Sequence, residues 1–171
     1  MQQAIRMAAG GHGWSISIAV SPDLAGACGA VFGRALLTLL VLDLEHFWLP
    51  DRLTLPLAAS GLLAAWLTGQ ELGPRLLGLG LGYGSLWLIA KAYRARTGRD
   101  GIGGGDPKLL AAIGAWLGAP MLPLVLVVAS LAGLVFIGIA KIRGSAIGRH
   151  TQVALGALLA LAAWPLWVLH A

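Results

Sequence analysis

The sequence predicts an all-α membrane protein of about six transmembrane helices, one of them abbreviated after a glycine-rich loop. Three observations carry that prediction. Of the 171 residues 58% are hydrophobic and only 11% charged, against about 45–50% and about 25% in soluble domains. Apolar runs of roughly 17–25 residues, the length needed to cross about 30 Å of hydrocarbon, recur along the chain. The few cations also fall almost entirely between alternate runs.

Taken in order, residues 24–42 form the first run, followed by 53–68 and 76–90. Residues 109–118 are apolar but short, stopped by Pro120 and Pro123, which cannot donate to a helix ladder. The last two runs are 122–140 and 153–169. Residues 1–23 have no long apolar core and are expected to form an interfacial arm, not a cleaved signal peptide. That leaves 24–171 as the membrane-embedded domain. Short strings of Gly, Ala and Leu recur because small residues let membrane helices approach closely.

If the first helix runs inward, the inner segments hold Arg52, Lys91, Arg94, Arg96, Arg99, Lys108, Lys141, Arg143 and Arg149, and the outer ones hold Arg6 and Arg75. The positive-inside rule then places the segments 43–52 and 91–108 in the cytoplasm. The net charge of +5 is topogenic, and no nucleic-acid partner is expected, since no solvated basic face gathers it. Cys28 is the one cysteine, so an intrachain disulfide and a zinc knuckle are excluded. His12, His46, His150 and His170 are scattered, and neither a metal nor another cofactor is expected.

The seven acidic residues are more informative. Asp43 closes the first helix in "LLVLDLEHFWLPDRLTLPL" and Asp106 opens the abbreviated one in "GIGGGDPKLLAAIGAWLG". Asp106 ahead of Pro107 is also what an ordinary helix start looks like, and Asp43 could be an interfacial charge reaching water. Depth argues otherwise. A helix over 107–118 ending at the outer face spans only about 18 Å, so Asp106 would lie at membrane depth, where a carboxylate is tolerated only beside a water-filled cavity. Gly101, Gly103, Gly104 and Gly105 would then supply positive φ angles and room for a substrate backbone. Two carboxylates in one cavity can hold a single proton between them, one activating water while the other polarises a peptide carbonyl.

At these residues the chain resembles the type IV prepilin peptidases of the GxGD aspartic class. The likeness rests on Asp43 followed by Leu-Pro-Asp and Leu-Thr, and on the Gly-Gly-Gly-Asp-Pro-Lys-Leu-Leu run from Gly103 to Leu110. The resemblance implies a six-helix domain of the bacterial inner membrane that cuts the basic leader from pilin or pseudopilin precursors at the cytoplasmic face, with Asp43 and Asp106 as the catalytic pair. Many members also carry paired CxxC motifs and methylate the new N-terminus; with one cysteine here, methyl transfer is not expected. Their last inner loop often reads Pro-Phe-Gly-Pro, where this chain has "SAIGRHTQVALG". The presenilin and signal-peptide-peptidase group, which pairs GxGD with Tyr-Asp, is disfavoured because Leu42 precedes Asp43.

A basic leader near so basic a face needs offsetting acids, and Glu45, Asp51 and Asp100 are expected to dock it, with Gly103, Gly104 and Gly105 shaping the backbone path. Lys108 is expected either to anchor to lipid headgroups or to bias the nearby carboxylate towards ionisation. The alternative to a peptidase is a catalytically silent pore or assembly scaffold whose aspartates organise helices or move protons.

Overall fold

The computed structural model describes residues 22–46, 48–98, 101, 103–143 and 154–170. The interfacial arm before Pro22 and the docking residue Asp100 lie outside the described residues. Six α-helices follow one another: α1 (Pro22–His46), α2 (Asp51–Leu67), α3 (Leu72–Thr97), α4 (Asp106–Leu117), α5 (Leu122–Ile142) and α6 (Leu155–His170). A single 3₁₀ turn, Ala119–Met121, joins α4 to α5, and the described residues contain no strand. Within them, Gly26–His46 and Ala119–Ile142 are long and apolar enough to cross a membrane, and Leu155–Leu169 is apolar but shorter.

The abbreviated helix is the centre of the bundle. Every residue of α4 except Lys108 is buried. It packs chiefly on α3 and α2, while α6 lies against α1 and α5. Close packing of α3 on α4 depends on glycine. A Cβ on Gly78 would overlap the carbonyl of Gly114, one on Gly114 would overlap the carbonyl of Gly78, and one on Gly82 would lie 2.6 Å from the carbonyl oxygen of Leu110. The two backbones therefore touch directly, the close approach that small residues allow between membrane helices. On the other side Phe32 of α1 stacks on Trp116 of α4, ring centroids 4.6 Å apart. Trp164 and Trp167 of α6 stack on each other and lean over Gly33 and Gly29 of α1. The Trp116 indole N–H donates to the carbonyl of Leu57 at 2.8 Å, so the polar tip of this buried ring is satisfied.

The far end of α4 needs an external partner, because its last carbonyls have none within the helix. Arg75, from the first turn of α3, donates to the carbonyls of Ala115 (3.1 Å) and Trp116, and also to the Gln70 side chain. Gly118 then turns the chain at φ 83°, a left-handed value that favours glycine.

One expectation is corrected here. The segment 91–108 was expected to be an inner loop from Lys91 onward, but α3 continues to Thr97 and carries Lys91, Arg94 and Arg96 on its final turns. Ala, Lys and Arg are good helix formers, so the falling hydropathy marks a change in the surroundings suited to the helix and not its end. It stops at Gly98, φ 67°, a left-handed C-terminal glycine.

Candidate active site

Alternation of the helices brings the end of α1 and the starts of α4 and α6 together. Asp43 lies one turn before the end of α1, and Asp106 is the first residue of α4; each is only 5% exposed. Both face Gly156, the second residue of α6. A Cβ built on Gly156 would lie 2.9 Å from Asp43 Oδ2 and 3.1 Å from Asp106 Oδ1. Laid end to end, these distances limit the separation of the two oxygens to about 6 Å. One water molecule, hydrogen-bonding to each at about 2.7–3.0 Å, can bridge such a gap.

Each carboxylate also has its own donor. The Ala157 N–H donates to Asp43 Oδ2 at 2.7 Å, and the Gly103 N–H donates to Asp106 Oδ2 at 3.1 Å. Gly105, the residue before the helix, has no side chain to cap it, and the Asp106 carboxylate turns back to the Gly103 N–H instead. Its second oxygen is left facing the gap towards Asp43.

The glycine run is needed for room, not for unusual dihedrals, which corrects the expected positive φ. None of Gly101, Gly103, Gly104 and Gly105 has a positive φ. A Cβ on Gly105 would come within 2.5 Å of Leu49 Cβ, and one on Gly101 within 2.5 Å of the Tyr93 ring. Gly103 and Gly104 are exposed and leave the approach to Asp106 without side chains.

The acids expected to dock a leader sit differently from one another. Glu45 is 63% exposed beside His46, 3.8 Å away. Asp51, at the start of α2, accepts from Lys108 Nζ at 2.5 Å, so its charge is already balanced and Lys108 is directed to Asp51 and not to Asp106. This pair ties the first turn of α2 to that of α4. With Asp51 56% and Lys108 32% exposed, it contributes no more than about 1 kcal/mol. Lys108→Gln and Asp51→Asn should each lower the melting temperature by a few degrees at most, and the double variant should lose no more than the larger single loss, as read by thermal melts. Among the described residues no three His, Cys, Asp or Glu gather into a potential metal site.

A sequence profile of the type IV leader peptidase family matches residues 27–138. The chain belongs to the type IV leader peptidase family. The match contains Asp43, the glycine run and Asp106. Proteins named prepilin leader peptidase/N-methyltransferase are similar to this family member: that of Aeromonas hydrophila is 42% identical over 154 residues, covering 87% of this chain and 53% of its own length. Those of Neisseria gonorrhoeae and Dichelobacter nodosus are 40% and 42% identical, over 80% and 78% of this chain and 46% of their own lengths. The chain thus spans about half the length of these relatives. No solved structure matches it. Two contributors to the site, Gly156 and Ala157, lie beyond the residues that match the family profile, and sequence reasoning assigned them no role: "SAIGRHTQVALG", where relatives often read Pro-Phe-Gly-Pro, ends at Gly156 but lacks both prolines.

Proposed function

We propose that the chain is an aspartic endopeptidase that removes the basic leader of type IV pilin or pseudopilin precursors, embedded in the bacterial inner membrane with its site towards the cytoplasm. The observation that supports this best is the convergence of Asp43 and Asp106, 63 positions apart in sequence, on one gap beside Gly156. Membership of the leader peptidase family and the names of the similar proteins support the same substrate class. Residues 24–171 form the membrane domain, and about six helices cross or enter the bilayer. The basic residues Arg52, Lys91, Lys108 and Lys141, all near the Asp43 end of their helices, support that end as the cytoplasmic one.

In this reading one carboxylate, ionised, takes a proton from the bridging water as its oxygen attacks the scissile carbonyl. The other carboxyl group gives its proton to the carbonyl oxygen, and collapse of the tetrahedral species sends the first proton to the departing amine. The exposed glycines 103 and 104 admit the extended backbone of the substrate, and Glu45 faces its cationic leader. The test is direct: the purified protein in lipid vesicles, given a pilin precursor with its basic leader, should release that leader at one bond, identified by product mass. An intact precursor after prolonged incubation would overturn the proposal.

A further inference from the structure

The start of α6 approaches both carboxyl groups, though neither sequence motif includes it. Ala157 is the third residue of this 16-residue helix, so its N–H is one of the donors with no partner inside the helix, and it donates to Asp43. Gly156 has no positive φ, so backbone conformation does not demand glycine there. Space does: a Cβ would stand 2.7 Å from Leu49 Cδ1 as well as within 3.1 Å of a carboxylate oxygen on either side.

We infer that the start of α6 is a third part of the site, in which the Ala157 N–H holds Asp43 as the ionised member of the pair and Gly156 is kept bare so that the gap between the carboxyl groups stays open to water. The inference rests on the peptidase reading and deepens it by assigning the two roles. Asp43 is the base that takes the proton from water; Asp106 carries the proton that passes to the carbonyl oxygen. Two dipole ends oppose this order, since α1 ends beside Asp43 and α4 begins at Asp106. Both carboxyl groups accept a backbone N–H, but the bond from Ala157 to Asp43 is the shorter, 2.7 Å against 3.1 Å from Gly103 to Asp106, and a short direct bond to a charged acceptor outweighs a dipole end. The other charges near Asp43 are offset by neighbours: Asp51 by Lys108 and Glu45 by His46 when protonated. From α4 Asp43 faces Asp106, and α6 has no ionisable side chain before His170.

The deciding experiment is the pH profile of kcat/KM for precursor cleavage. Replacing Ala157 by lactic acid turns its N–H into an ester oxygen and keeps the side chain. The acidic limb, which reports ionisation of the base, should then move to higher pH by about one unit, since the lost bond favoured the charged form. Ala157→Gly, which keeps the N–H, should leave the limb in place. Gly156→Ala should lower kcat at least about 100-fold with little change in KM, on the scale of removing one catalytic hydrogen-bonding group, whereas Gly138→Ala, with nothing within 4 Å of the added atom, should match the parent. A uniform loss of rate at every pH in the ester, or a shift of the basic limb instead, would overturn the assignment, and so would an active Gly156→Ala. Failure of the peptidase reading is a separate result, in which the parent chain does not cleave at all.

Discussion

Asparagine in place of either Asp43 or Asp106 is expected to abolish precursor cleavage, by on the order of 10⁴-fold or more, the scale seen when one member of an interdependent catalytic set is removed. The protein itself should become no less stable. Asparagine has the shape of aspartate, and its side-chain oxygen can still accept from Ala157 at position 43 or from Gly103 at position 106. Both carboxyl groups are buried and within about 6 Å of each other, so each substitution removes the desolvation of a charged group and the repulsion between two. A gain of roughly 1 kcal/mol would raise the melting temperature by about 2–4 °C in a chain of this size. Activity and thermal melts on the same samples check both halves. Residual cleavage above one per cent in either variant would contradict the mechanism, and a lost transition would show that the aspartates serve the fold.

The second large effect concerns the α3–α4 seam. Gly114→Leu should prevent α4 from seating, because the added atoms meet the Gly78 carbonyl, and backbone cannot yield as the end of a flexible side chain can. Overpacking of a core costs about 1–3 kcal/mol when side chains can adjust, so this backbone clash should exceed that range and remove the cooperative melt. Gly80 and Gly84 lie on α3, the helix of Gly78, with nothing within 4 Å of an added Cβ. Their alanine variants should gain up to about 1 kcal/mol from helix propensity. Opposite signs inside and outside the seam, measured by thermal melts in detergent, would separate contact from propensity; equal behaviour would mean that the seam is not closed.

Much of this could be read from the chain because hydropathy and acid placement act over short stretches. The apolar runs, the short helix after the glycines, and the isolation of Asp43 and Asp106 among few acids were all local. The membership of α3's basic end was not: Lys91 to Thr97 is helical but polar, and hydropathy reports the solvent of a helix and not its length. Gly156, at the end of the segment that departs from Pro-Phe-Gly-Pro, was given no role for a different reason. Its importance comes from three elements meeting, and nothing in "VALGALL" announces which neighbours the fold will bring. The same holds for Asp51 and Lys108, whose pairing across 57 positions is not announced by either stretch alone.

Arg75 on the last carbonyls of α4 bears on how the protein is made. A twelve-residue helix covers about 18 Å, and bare carbonyls left in hydrocarbon are strongly disfavoured. During synthesis α4 emerges after α3, the helix that supplies both the guanidinium and the glycine face against which it rests. In the proposed membrane setting it would have no resting place in lipid until α3 is already there, and the two are expected to enter the bilayer together. The order of the helices along the chain is in this sense an assembly schedule, with the scaffold of the buried aspartate delivered before the aspartate itself.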